Sequence, residues 1–232
     1  MGIKGKLAIG FSLLLVIIVG ITFLGIRGIQ QTNQKHDYVQ HYLLYRNANL
    51  NALYIEILYT RRLSSLIVLH AGDIEALVSS GIEHESTIIR TRIRRLIDNI
   101  TQNVRNDPRL HSETARFFEE MMHDLDWRIQ RYFFEILESL YELTMNDYGN
   151  ELLLFDLMAR EVELYYWINS VIYALIESTG WDIMEFNDQI FFATNNATII
   201  MILVSSLGII IGVIVAVFIS VTVTKAVKNK QQ

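Results

Sequence analysis

The sequence predicts an all-α fold: a membrane-anchored, up-down-up-down four-helix bundle flanked by two transmembrane helices. Three observations lead there. Two nearly uncharged apolar runs, at residues 7–26 and 197–223, are each long enough to cross a hydrocarbon core of about 30 Å as a helix. The 232-residue chain holds one proline, Pro108, where ordinary usage is about 5%, so long helices meet few interruptions. Between the runs, apolar residues recur at spacings of three and four, and neither strand-like alternation nor a solenoid repeat competes.

The runs divide the chain into a tail at 1–6, a first span at 7–26, a bundle segment at 27–196, a second span at 197–223 and a tail at 224–232. Lys4 and Lys6 precede the first span; Lys225, Lys228 and Lys230 follow the second. All 25 Asp and Glu fall in the middle segment with 15 Lys and Arg, a net charge of −10 there. Basic flanks favour the cytoplasm. The expectation is a multi-pass protein of the cell inner (cytoplasmic) membrane, with both tails cytoplasmic and the bundle extracytoplasmic. The first run is expected to remain as an anchor, because it exceeds a signal peptide's apolar core and no A-x-A-like site follows it.

Composition narrows the function classes. Cysteine is absent, which removes disulfides, thiolate metal sites and a thiol nucleophile. The acidic middle segment argues against nucleic acid as a partner. The histidines form no HExxH-like pattern, and no glycine-rich phosphate loop is present. The chain therefore reads as a non-enzyme with no catalytic residues, no metal site and no cofactor. The acidic run Glu119, Glu120, Asp124 and Asp126 reads as a solvated helix face.

Three breaks set the helices. The first helix runs from the membrane to about Leu69, with an apolar stripe of Leu43, Leu44, Leu50, Leu53, Ile57, Leu58, Leu66 and Leu69. Ala71-Gly72-Asp73 ends it, with Gly72 at C′ and Asp73 as the next N-cap. The second helix covers about Ile74 to Val104, weakened at Gly81. Asn106-Asp107-Pro108 follows, Asp107 capping and Pro108 at the first helical position. The third helix runs from about Arg109 to Met145, and the break at 146–150 leads to a fourth that starts near Glu151 and continues into the second span. At 1.5 Å per residue, Ile26 to His70 measures about 66 Å and Asn150 to Asn196 about 69 Å, so the two membrane-linked helices reach one height. Short breaks make sequential helices antiparallel neighbours.

Height also selects candidate ligand contacts. Arg61 and Arg62 lie about 52 Å above the first span, level with Glu161, and Tyr165 and Tyr166 stand just below. Arg90 and Arg94 belong to a basic cluster on the second helix. Guanidinium groups hold carboxylates and phosphates bidentately, and the tyrosines can line a pocket. The other reading is that the arginines pair with neighbouring Glu and Asp, and that the aromatics fill the core or a dimer seam. Gly208-x-x-x-Gly212 marks a helix contact in the second span.

The opening Met1-Gly2-Ile3-Lys4-Gly5-Lys6-Leu7-Ala8-Ile9-Gly10-Phe11, the exit Gly25-Ile26-Arg27-Gly28-Ile29 and the Gly72-Asp73 break resemble the sensor half of methyl-accepting chemotaxis receptors. That resemblance implies signal transduction by a receptor: a bundle that dimerises, a small-molecule ligand bound far from the membrane, and a slight shift of one transmembrane helix. About nine residues follow the second span, too few for that family's HAMP helix pair. The expectation is a truncated receptor, or a small sensor-like protein acting as a homodimer or as a mixed dimer with related full-length receptors. A non-ligand-binding structural or regulatory membrane partner in such mixed dimers is the alternative.

Overall fold

The computed structural model describes residues 3–146 and 150–228, and all regular structure among them is helical. Asp147, Tyr148 and Gly149, the middle of the third expected break, lie outside the described residues, as do both chain ends. Helix α1 (Ile3–Tyr38) passes through a π turn (Val39–Leu44) into α2 (Tyr45–Leu69). Then come α3 (Ile74–Ser79), α4 (Ile82–Arg105) and α5 (Ser112–Arg128). A second π turn (Ile129–Phe133) joins α5 to α6 (Phe134–Asn146), and α7 (Glu151–Lys228) is a single helix of 78 residues. The helices over Ala8–Leu69 and Glu151–Val221 are long and apolar enough to cross a membrane. The chain forms two compact units, Val39–Met184 and Met1–Tyr38 with Glu185–Gln232.

In the Val39–Met184 unit, α2 packs on α4 and α6, and α4 packs on α5. From the first π turn into α2, a buried series runs by alternating steps of four and three through Val39, Leu43, Arg46, Leu50, Leu53, Ile57, Thr60, Ser64 and Ile67, with Leu63 buried beside it. Helix α7 repeats the pattern with Glu161, Tyr165, Ile168, Ile172, Leu175 and Thr179. This is the 3.5-residue period of helices that interlock side by side. Facing residues include Ile89, Ile93, Ile97 and Ile100 of α4, and Phe118, Met122, Leu125, Phe133 and Leu137 of the α5–α6 stretch, all in one core.

The apolar stripe expected on the first helix is wider than the face that is buried. Leu44, Leu58 and Leu69 are exposed, as is Phe117 on α5. A helix can bury only the narrow arc its neighbours cover, and α2 carries apolar residues on two arcs. A π turn adds one residue to a helical turn, which rotates everything after it and selects which arc faces inward.

The breaks fall close to expectation, with three differences. Asp73 caps α3 by accepting from the Ala76 amide at 3.0 Å. Gly72, at φ 88°, lies two residues past the α2 cap His70, one later than expected. Gly81 does more than weaken a helix: at φ 68° it separates α3 from α4, a left-handed conformation that glycine adopts without a Cβ clash. Asp107 does not cap and Pro108 does not open the third helix, because α5 begins at Ser112. The Asp107 carboxylate is drawn instead to the Arg109 amide and to Arg46.

The other unit pairs α1 with the C-terminal part of α7 through small residues. A Cβ at Gly10 would meet Val215 Cγ1 at 2.8 Å, one at Gly28 would meet Ala197 Cβ at 3.2 Å, and one at Gly208 would meet Ile17 Cγ2 at 3.3 Å. Gly212 faces Leu14. The Gly208-x-x-x-Gly212 spacing is thus used within the chain. Close approach of this kind is how helices associate where no water drives burial. Lys35 reaches Gln189 at 3.5 Å, and the Tyr38 ring packs on Phe186.

Candidate functional site

Two polar layers interrupt the core of the Val39–Met184 unit, and they differ in how they are satisfied. In the first, the fully buried Arg46 donates to Asp107 Oδ2 at 2.6 Å and to Asn103 Oδ1 at 3.1 Å. Asn103 passes a hydrogen bond on to the His41 carbonyl, and the Arg46 guanidinium stands 5.5 Å from the Phe118 ring centre. Every charge here has its counter-charge, so this layer is structural.

The second layer holds Glu161, Thr60 and Ser64, all buried. The Thr60 hydroxyl donates to the Glu56 carbonyl at 2.9 Å and the Ser64 hydroxyl to the Thr60 carbonyl at 3.4 Å. Glu161 is 5% exposed, and its Oε1 has no hydrogen-bond partner. Burial pushes its carboxyl above the usual range, while the Arg61 charge and the Ser64 hydroxyl pull it back. Arg61 is not engaged in an ion pair with it. The guanidinium lies 4.2 Å from the Tyr165 ring centre and 5.6 Å from that of Tyr166, held by the negative face of each ring. Heptad spacing explains the placement: Glu161 and Tyr165 are successive inward positions of α7, and Thr60 and Ser64 of α2.

Of the six residues expected to contact a ligand, three meet here: Arg61, Tyr165 and Tyr166. Tyr165 is core and Tyr166 is exposed. Arg62 points to solvent. Arg90 is committed elsewhere. It donates to Gln130 Oε1 at 2.9 Å, to the Gln130 carbonyl at 3.0 Å and to Glu138 at 2.8 Å. That carbonyl belongs to the second π turn, so Arg90 ties the turn to α4. Arg94 is exposed and its charge acts on Asp126.

Sequence reasoning passed over the Arg46 network and assigned Glu161 no role beyond its height. The signal for both was present: each polar residue occupies an inward heptad position between apolar ones, which a solvated face does not. It also read Asp126 as solvated. That carboxyl is half-buried with Oδ1 unpartnered, and burial raises its pKa against the pull of Arg94.

A separate groove of about 350 Å³ lies between α2, α4 and α6. Ile67, Ile82 and Leu137 floor it, and Glu83, Glu138 and Glu142 rim it. Its volume is in the range of small-molecule sites, yet its rim is acidic and contains none of the six expected contacts. The chain matches no protein-family model, no curated protein and no solved structure.

Proposed function

We propose that the chain is a membrane-anchored sensor, in which an extracytoplasmic up-down-up-down four-helix bundle responds to a small ligand and passes a helix shift through two transmembrane helices. The observation that carries this reading is α7, one unbroken helix that holds both the inward series Glu161–Thr179 and an apolar stretch long enough to span a bilayer. A helix shared by core and span is a direct route for a change of packing to follow. The lysines outside the two spans support cytoplasmic tails.

A second arc on α2 supports dimers. Tyr45, Ile55 and Tyr59 are exposed at positions that, with Ala48 and Ala52, step by three and four. That arc also fits the alternative, a regulatory partner in mixed dimers with longer receptors.

The native absence of cysteine makes the test clean. Single variants Ser170→Cys and Lys228→Cys are labelled in whole cells with a membrane-impermeant maleimide. The reading requires labelling of the first in intact cells and of the second only after permeabilisation. Equal labelling of both in intact cells would overturn it. Oxidation of Tyr59→Cys in membranes then reports the dimer: a disulfide-linked pair of this chain supports the homodimer, and a larger adduct the mixed one.

A further inference from the structure

We propose that the ligand of this sensor is the proton itself, taken up by the Glu161 carboxylate in the core between α7 and α2. The proposal rests on the sensor reading for its use and on the geometry of the second polar layer for its chemistry.

The two layers of the core make the comparison. Where the fold buries a charge to hold helices together, it supplies a full set of partners, as for Arg46 with Asp107 and Asn103. Glu161 is also buried and lacks that set. Its Oε1 is unpartnered, and the one hydroxyl that acts on the carboxyl, that of Ser64 on α2, also lies within 3.4 Å of the Thr60 carbonyl of its own helix. α2 also presents Arg61, and Glu161's own helix presents Tyr165. Among the described residues, Arg61 carries the formal charge whose field acts on Glu161, and it is stacked on the tyrosines rather than paired.

A buried carboxyl without a counter-ion is at home neutral and out of place charged. Protonated, Glu161 adds an O–H donor to a layer rich in acceptors and leaves Arg61 on the rings of Tyr165 and Tyr166. Ionised, it draws the guanidinium off the rings toward itself or moves α7 outward toward water. These are two packings of one interface, and the proton prefers the first, which is the requirement for a ligand to shift an equilibrium. The sign follows from the raised carboxyl. The protonated packing prevails in acid and gives way as pH rises through the Glu161 titration.

The test uses the full chain in lipid nanodiscs and two readouts. Infrared difference spectra between about pH 5 and about pH 8 report carboxyls that still titrate after exposed ones, with ordinary values near 4.3, have ionised. Burial raises the Asp126 carboxyl too, so the band that disappears in Glu161→Gln is the one that counts. Lys35→Cys with Gln189→Cys, replacing side chains whose ends lie 3.5 Å apart in the native chain, reports α7 against α1 by cross-linking with a short bifunctional maleimide that spans the shorter cysteine side chains. The wild-type background should change its cross-linking rate by about threefold or more across the same pH interval, relative to Glu161→Gln, which stays in the acid state because Gln mimics the neutral acid. Glu161→Asp should restore a pH response.

An infrared difference spectrum unchanged by Glu161→Gln would overturn the proposal, and so would identical cross-linking profiles of the two backgrounds. Failure of the sensor reading shows separately, in the maleimide labelling at Ser170→Cys and Lys228→Cys. That reading stands with another ligand if Glu161 proves silent.

Discussion

The Arg46 guanidinium and the Asp107 carboxylate meet at 2.6 Å with both side chains sealed from solvent, tying the start of α2 to the turn between α4 and α5. The pair explains why that turn does not become the first turn of α5: its acid is committed to a buried cation. Removing one partner strands the other. Asp107→Ala is expected to destabilise the protein by about 3–5 kcal/mol. The double variant Arg46→Met with Asp107→Leu should recover most of the loss, because paired apolar replacement of a buried ion pair is often neutral. Chemical denaturation of the three proteins checks this, and a double variant as unstable as the single one would show that the charges do more than pair.

Arg61 and Arg62 are neighbours in sequence and should separate in effect. Arg61→Ala removes a cation from over two rings and is expected to cost about 0.5–2 kcal/mol. Arg62→Ala, at an exposed position, should stay within about 0.5 kcal/mol of wild type. Equal losses in thermal unfolding would deny the ring contact any weight.

Glycine placement gives a third comparison. Gly10→Leu puts its Cβ 2.8 Å from Val215 Cγ1, whereas a Cβ at Gly20 meets nothing within 4 Å. Overpacking of a close contact costs about 1–3 kcal/mol, so Gly10→Leu should weaken α1–α7 pairing, read as slower cross-linking of Lys35→Cys with Gln189→Cys. Gly20→Leu should leave it unchanged.

Asp126 offers a pH dependence with a definite sign. Burial raises its carboxyl above the ordinary 3.8. The folded state therefore binds the proton more readily than the unfolded chain does. Its contribution to stability is complete below the unfolded pKa and is lost as pH rises through the folded value. Asp126→Asn, fixed in the neutral form, should raise the midpoint of thermal unfolding near pH 8 and change it little in acid. A stabilisation greater in acid than near neutrality would reverse the sign and refute the assignment.

Much of the helical plan was legible because it depends on local chemistry. Asp73 caps because an Asx side chain reaches an amide three residues on, Gly72 bends because it lacks a Cβ, and α7 starts after Asn150, whose side chain accepts from Leu153. These are contacts within a turn of chain, visible as spacing. The two apolar runs were equally legible, since length and lack of charge are properties of the sequence alone.

The sequence by itself thus determined an all-α chain, where most helices begin and end, and two segments able to span a bilayer. Only the tertiary structure decided which arc of α2 is inside, that α5 waits until Ser112, that Arg90 secures a π turn, and that Glu161 lies in the core with one carboxylate oxygen unpartnered. Each of these turns on a neighbour far away in sequence. Asp107 answers Arg46 across 61 residues, and Arg61 meets Tyr165 across more than 100. A side chain's burial and charge state depend on what faces it, and no local spacing records that.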